Sequence, residues 1–230
     1  MEGYGSASIS RGSRPMHIEF LVEDISGKRA LELLIPRIIG APHTWRVFHY
    51  KGIGKIPKNL NAKADPRKRI LLQELPRILR GYGKSFSYSP GDNAVVLVCD
   101  LDDRCLKTFR RELNDMLNSC APSPTTRFCF AIEEVEAWLL GDSNAVVQAY
   151  PRAKRAILSS YVNDAICGTW QVLADAVYKG GAKALEARGW QAVGAEKSAW
   201  AGAISPYIDV ENSASPSFNY FRSKLMELTN

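Results

Sequence analysis

A run of six apolar residues that ends in a group of three acids constrains the fold of this chain more than any other feature. Residues 94–99 are all apolar, and Asp100, Asp102 and Asp103 come directly after them. An uninterrupted apolar run is typical of a strand that is buried on both faces, as in a parallel sheet covered by helices. Open α/β sheets bind their ligands outside the carboxyl ends of such strands. The sequence therefore predicts a ligand site at residues 100–103.

These acids admit two interpretations. Carboxylates this close repel each other unless a cation lies among them, and Mg²⁺ prefers hard oxygen ligands of this kind. Alternatively, Asp102 or Asp103 only caps the helix that we expect to begin near Arg104. A cap needs one Asp, so the presence of three acids favours the metal interpretation.

Strand and helix signals alternate through the first two thirds of the chain. The predicted strands are residues 17–22, 45–50, 94–100 and 127–132. A helix capped by Ser26 follows the first strand, and Pro36 should kink or divide it. Asp65 and Pro66 should open the next helix, which we expect to end near Gly81. This alternation predicts an α/β fold with a mostly parallel four-stranded sheet flanked by helices.

The strand signals fade after Asp142, and the rest of the chain has helical patterns. The predicted helical segments are residues 144–160, 170–188, 195–204 and 216–228. We expect Trp170, Trp190 and Trp200 to anchor these helices to the core. The expected organisation is a disordered tail (1–15), an α/β core (16–142) and a helical extension packed on the core (143–230).

Acids follow three of the four predicted strands. They are Glu23-Asp24, the group at residues 100–103, and Glu133-Glu134, with Glu136 one helical turn beyond Glu133. Because the carboxyl ends of parallel strands meet at one edge, these side chains should gather around one cleft. Such a cluster is suited to one or two divalent ions, Mg²⁺ or Mn²⁺, and to displacement at phosphorus.

This pattern resembles the Toprim fold of topoisomerases, DnaG-type primases and OLD-type nucleases. It is most similar to a bacterial Toprim-like family related to the OLD nucleases, through Val22-Glu23, residues 132–142 (IEEVEAWLLGD) and residues 215–218 (SPSF). The resemblance implies a Toprim/Rossmann-like core with Glu23, Asp100 and Asp102 as catalytic residues. The metal ligands that it implies are Glu23, Asp100, Asp102, and Glu133 or Glu136. Asp103 is a further candidate ligand because it is adjacent to Asp102.

A basic segment follows the second predicted strand and so begins at the same edge as the acids. Its candidates for nucleic-acid contact are Lys51, Lys55, Lys58, Lys63, Arg67 and Lys68. Cations beside a metal cleft would attract a phosphodiester backbone, although charged runs are usually solvated loops. The net charge of +6 permits a polyanionic partner.

The expected function is Mg²⁺-dependent phosphodiester chemistry, as a DNA or RNA nuclease. The resemblance implies the nuclease component of a two-gene defence system with an ABC- or AAA-type ATPase partner. A non-catalytic Toprim-like subunit that binds nucleic acid or regulates a partner is the alternative, because Lys28 stands near the place of a second acid in the first loop. A DxD phosphatase is the third interpretation.

Cysteine usage and hydropathy bear on the compartment. The five cysteines form no CxxC pair, and no apolar stretch approaches the ~18 residues of a membrane span. We therefore expect a cytoplasmic protein that has no membrane partner. The sequence is compatible with a monomer or a homo-oligomer.

Overall fold

The computed structural model describes residues 14–61, 65, 67–89, 91–165 and 167–230. Most of the predicted tail, together with Lys63 and Pro66, therefore lies outside the described residues. The strands are β1 (Met16–Val22), β2 (Thr44–His49), β3 (Asp92–Asp100) and β4 (Thr126–Ala131). All neighbouring strands pair in parallel, in the order β2-β1-β3-β4. The predicted α/β fold with a parallel four-stranded sheet is confirmed.

Helices follow each strand and continue to the end of the chain. Those of the first part are α1 (Ile25–Ile38), α2 (Leu71–Ser87) and α3 (Leu106–Asn118). Those of the C-terminal part are α4 (Glu136–Leu140), α5 (Ser143–Ala149), α6 (Arg155–Ser160), α7 (Thr169–Val177), α8 (Gly181–Glu186), α9 (Trp190–Ile204) and α10 (Pro216–Thr229). Within the described residues, no helix combines the length and the apolarity needed to cross a membrane.

Both faces of the sheet are buried, which explains the uninterrupted apolar run. Successive side chains of a strand point to opposite faces. Phe20 and Val96 contribute to a hydrophobic cluster with α1 and the C-terminal helices. Leu21 and Val95 contribute to a second cluster with α2 and α3. A strand between two apolar layers has no polar face, so its sequence does not alternate.

The strand order creates a switch point between β1 and β3. The chain passes from β1 outward to β2 on one side, and from β3 outward to β4 on the other. Such a reversal leaves a crevice at the carboxyl ends of the two central strands, where open α/β sheets bind ligands. Val22 pairs with Val98, so Glu23 and Asp100 both lie at this edge.

The boundaries of α1 and α2 differ from the sequence predictions. Asp24, not Ser26, caps α1, because its carboxylate accepts a hydrogen bond from the Gly27 N–H at 2.7 Å. Pro36 lies in the last turn of α1 and does not divide the helix. Helix α2 begins at Leu71, later than predicted, and ends at Ser87, six residues after the predicted end at Gly81. The helix continues because Tyr82 and Phe86 extend its apolar contact with the second cluster.

The helical extension is more broken than the sequence pattern predicts. Helix α5 ends at Ala149 because Pro151 disfavours helical backbone at the residue before it. Residues 170–188 divide at Gly180 and Gly181, whose φ angles are 89° and 72°. Trp170 and Trp200 are buried as predicted, but Trp190 is 77% exposed, so its predicted anchoring role is wrong.

The extension covers one face of the sheet. Helix α9 contacts α1, and α10 contacts β4. Trp138 of α4 stacks on Phe221 of α10 with ring centroids 4.9 Å apart, and its Nε1 donates to Ser217 Oγ at 2.9 Å. These contacts join the extension to the α/β core through one continuous hydrophobic cluster.

Two glycines of α2 provide a test of how this helix packs against the segment between α3 and β4. A Cβ atom at Gly83 would clash with the carbonyl oxygen of Pro122, whereas one at Gly81 would meet no atom within 4 Å. We predict that Gly83→Ala lowers the free energy of unfolding by about 1–3 kcal/mol. Gly81→Ala, its control, should raise it by about 0.5–1 kcal/mol because Ala is the better helix former. Urea denaturation of both variants checks this, and equal effects would contradict the described packing.

Candidate metal and active site at the carboxyl edge of the sheet

Glu23 and Asp100 are neighbours at the switch point. The backbone N–H of Asp100 donates a hydrogen bond to Glu23 Oε2 at 3.4 Å. Burial, together with the charges of Asp102 and Asp24, raises the pKa of Glu23 to about 7. Burial and the charge of Glu23 raise the pKa of Asp100 well above its usual range. Two of the three predicted catalytic acids, 77 positions apart in the chain, therefore share one desolvated environment.

The tips of β3 and β4 are joined by backbone hydrogen bonds. The N–H groups of Leu101 and Asp102 donate to the carbonyls of Ala131 and Glu133, at 3.0 and 3.1 Å. Asp102 and Glu133 both have a positive φ, at 50° and 63°. Non-glycine residues adopt this conformation infrequently, and it is concentrated at functional sites.

The alternative interpretation, that Asp102 or Asp103 caps the next helix, is wrong. Helix α3 begins at Leu106, and its N-cap residue Cys105 makes no side-chain capping bond. The Asp102 carboxylate instead lies 3.1 Å from Arg104 Nη1. Asp103 is exposed and forms no hydrogen bond or ion pair with another described residue. The charge of Asp102 also contributes to the raised pKa of Glu23.

Glu133 has a structural role at the start of α7. Its carboxylate accepts hydrogen bonds from the backbone N–H groups of Gly168 and Thr169, the latter at 2.6 Å. The first N–H groups of a helix lack partners within the helix, and its N-terminus attracts negative charge. This engagement removes Glu133 from the ligand set that we assign below. No local sequence pattern indicates this role, because Gly168 is 35 positions away.

Lys197 is a site residue that the sequence analysis missed. Its Nζ lies 2.9 Å from Glu134 Oε1 and 3.3 Å from Glu136 Oε2, and its side chain is 13% exposed. Burial alone would lower the pKa of Lys197, but Glu136, Glu134 and Asp100 raise it further than burial lowers it. Lys197 is therefore a permanent cation in the site. Nothing in the α9 sequence distinguishes it from a surface lysine.

Glu136 is the most deeply buried acid of the site. The residue is 1% exposed, and neither carboxylate oxygen has a hydrogen-bond partner among the described residues. Burial raises its pKa to about 7; Lys197 opposes this shift, and Glu134 and Asp24 add to it. One ammonium group thus faces the carboxyl groups of Asp100, Glu134 and Glu136, and the site has an excess of negative charge.

The predicted ligands do not form a ready-made metal cluster. Among the described residues, no group of three or more His, Cys, Asp or Glu side chains could hold a metal ion. Mg²⁺ needs fewer protein ligands than this, because it usually keeps several waters and binds through one or two carboxylates. Glu23 and Asp100 are a candidate pair, because burial raises the pKa of both and the charge of Glu23 raises that of Asp100 further; a divalent cation would relieve this repulsion.

The basic segment begins beside the acidic edge of the sheet. The N–H of Gly52 donates to the carbonyl oxygen of Glu23 at 3.2 Å. Of the predicted contact residues, those described are exposed: Lys51, Lys55, Lys58, Arg67 and Lys68. Lys63 lies outside the described residues. Lys55 and Lys58 join Arg104 in lining a groove of about 800 Å³, whose other wall is α3.

Comparison with known proteins gave no match. No family model, no curated protein and no solved structure matches this chain. The assignment of the site therefore depends on its geometry and chemistry.

The raised pKa of Glu23 predicts how stability depends on pH in the absence of metal. The folded protein keeps a proton on Glu23 up to a pKa of about 7, whereas the unfolded chain loses it near 4.5. Stability should therefore fall as the pH rises through this window. We predict that Glu23→Gln leaves the unfolding free energy at about pH 5 unchanged and raises it by about 2 kcal/mol at about pH 8.

Thermal and urea denaturation in EDTA checks this prediction. Glu32→Gln is a matched control, because Glu32 is exposed on α1 and should show no such dependence on pH. An equal effect of Glu23→Gln at both pH values would contradict the described environment of Glu23.

Proposed function

We propose that this protein is a divalent-cation-dependent nuclease that hydrolyses phosphodiester bonds in DNA or RNA. The observation that carries the proposal is the pair of desolvated carboxylates, Glu23 and Asp100, at the switch point of a parallel sheet. This is the position at which such sheets bind ligands. Burial and neighbouring acids raise the pKa of both groups, and a cation there would stabilise their ionised form.

Glu23 and Asp100 would hold the ion, with Asp102 beside Glu23. When bound, Mg²⁺ or Mn²⁺ supplies a water of lowered pKa and neutralises charge on the phosphate. A carboxyl group with a pKa near 7 is also suited to act as a general base at neutral pH. Glu23, whose pKa is raised to about 7 in the metal-free protein, would accept the proton of the attacking water only where Asp100 and Asp102 hold the ion, because coordination to the cation would lower the pKa of Glu23.

Lys197 and Glu136 would influence this pair through their charges without binding the ion. The Lys197 ammonium contributes to the electrostatic environment of Asp100 and forms ion pairs with Glu134 and Glu136. It thereby limits the repulsion among the acids before a cation arrives. Because Lys197 belongs to α9, the helical extension is part of the proposed site.

The exposed lysines of the basic segment supply the attraction for nucleic acid. Lys55 and Lys58 line the groove, and Gly52, at the start of the segment, is hydrogen-bonded to Glu23. Lysines in such a position neutralise phosphates and fix the register of the strand without reading its sequence. The Toprim-like pattern of acids supports the same class of substrate and, by that resemblance, an ATPase partner.

A non-catalytic, nucleic-acid-binding subunit is the second candidate. It is favoured by the engagement of two predicted ligands elsewhere: Glu133 with the start of α7, and Glu136 with Lys197. Such a subunit would bind nucleic acid without cutting it.

A cleavage assay distinguishes the two candidates. We predict that the protein cuts plasmid DNA, linear DNA or RNA in the presence of Mg²⁺ or Mn²⁺, and that EDTA stops the reaction. Asp100→Asn should lower the rate about a hundredfold or more, because it removes charge where the transition state needs it. Asp92→Asn, at the opposite end of β3 and exposed, is the matched control and should cut normally.

The outcome of this assay decides between the functions. Cleavage that survives Asp100→Asn would be evidence of a contaminating enzyme. Binding without cleavage by the unaltered protein would favour the regulatory subunit.

A further inference from the structure

A second cavity lies at the same end of the sheet, between the α/β core and the extension. Its volume is about 640 Å³, within the range of small-molecule sites. Its walls are the first two turns of α3, the end of β4, the turn at Asn163 and Asp164, and the start of α10. Neither the proposed acidic site nor the basic groove uses any of these lining residues.

Arg110 is a cation without a carboxylate partner in this cavity. Its guanidinium lies over the ring of Tyr220 at 4.7 Å and near that of Phe130 at 5.6 Å. Nη1 donates to Tyr220 Oη at 2.9 Å, while the buried Nε has no acceptor among the described residues. Arg110 forms no ion pair with a described residue. Aromatic stacking and one phenol bond hold the guanidinium in place, and its charge is free to bind an anion.

Asn163 contributes an unused acceptor from a different wall. Its Oδ1 is buried and receives no hydrogen bond from a described residue. Buried polar atoms without partners are uncommon, because each costs the free energy of its lost hydration. Asn163 also lines the cavity, so a rotation of its side chain would present the amide to a ligand with an N–H or amino group.

The other lining residues limit what the ligand can be. Leu106, Ile132 and Pro216 give apolar surface, and Lys107 adds a second cation near Arg110. Asp164 also lines the cavity, but its carboxylate already accepts hydrogen bonds from Ser215 Oγ at 3.0 Å and the Ser217 N–H at 2.6 Å. These two bonds reduce its repulsion of an anion.

We propose that this cavity binds a 5′-nucleotide. A nucleotide combines the three features that the walls require: an anionic phosphate for Arg110 and Lys107, a flat base for the apolar residues, and a base N–H group for Asn163. A free nucleotide and the 5′-phosphorylated end of a nucleic acid strand both present this phosphate and base. The proposal does not depend on nuclease activity, because it uses none of the acids of the first site.

Titration calorimetry of the full chain in EDTA tests this proposal without interference from metal-dependent cleavage. The probes are AMP, GMP, CMP and UMP, with adenosine and inorganic phosphate for comparison and a short 5′-phosphorylated oligonucleotide as the second source. We predict binding of at least one nucleotide at one site, about tenfold tighter than the nucleoside, because the nucleoside lacks the charge-assisted bonds. If the oligonucleotide alone binds, the site recognises a strand end.

Variants assign the binding to this cavity. Arg110→Met keeps the length of the side chain and should weaken binding about tenfold or more. Arg111→Met is its control, since Arg111 is the next residue of α3 and is exposed. Asn163→Leu should also weaken binding, and it decides the question if thermal melting shows that Arg110→Met does not fold. The proposal is overturned if no nucleotide or oligonucleotide binds, if nucleoside and nucleotide bind equally, or if the folded variants bind as well as the unaltered protein.

Discussion

The acids buried at the carboxyl edge of the sheet set an electrostatic requirement that the surrounding elements have to meet. Burying a carboxylate is costly unless a cation or several hydrogen bonds compensate it. Asp100 and Glu136 are both buried here, and Glu136 has no hydrogen bond among the described residues. Lys197 supplies the ammonium that makes this arrangement tolerable. The helical extension that carries Lys197 is therefore part of the electrostatics of the core as well as of its packing.

The topology of the sheet explains why these acids meet. Asp100 is the last residue of β3, and the charge of Lys197 from α9 partly offsets the rise in its pKa. Glu23 follows β1 and is hydrogen-bonded through its carbonyl to Gly52, at the start of the basic segment. The acidic edge is thus bordered by the ordered extension on one side and by exposed lysines on the other.

The sequence was sufficient for the parts of the fold that depend on local pattern. The apolar run before Asp100 correctly predicted a strand covered on both faces, and acids after successive strands correctly predicted one shared edge. The roles of Glu133 and Lys197 could not be predicted, because each depends on a partner 35 to 63 positions away that only tertiary packing brings close. Trp190 was misplaced for a similar reason: an aromatic residue near a helix start does not reveal which side faces the core.

A Mn²⁺ titration followed by electron paramagnetic resonance shows directly whether a cation binds at the switch point, because free Mn²⁺ gives a signal that binding suppresses. We predict that the unaltered protein binds Mn²⁺, that Mg²⁺ competes, and that Asp100→Asn weakens binding about tenfold or more. Lack of binding by the folded protein, or equal affinity in the Asp100→Asn variant, would contradict the assignment of a cation to the switch point.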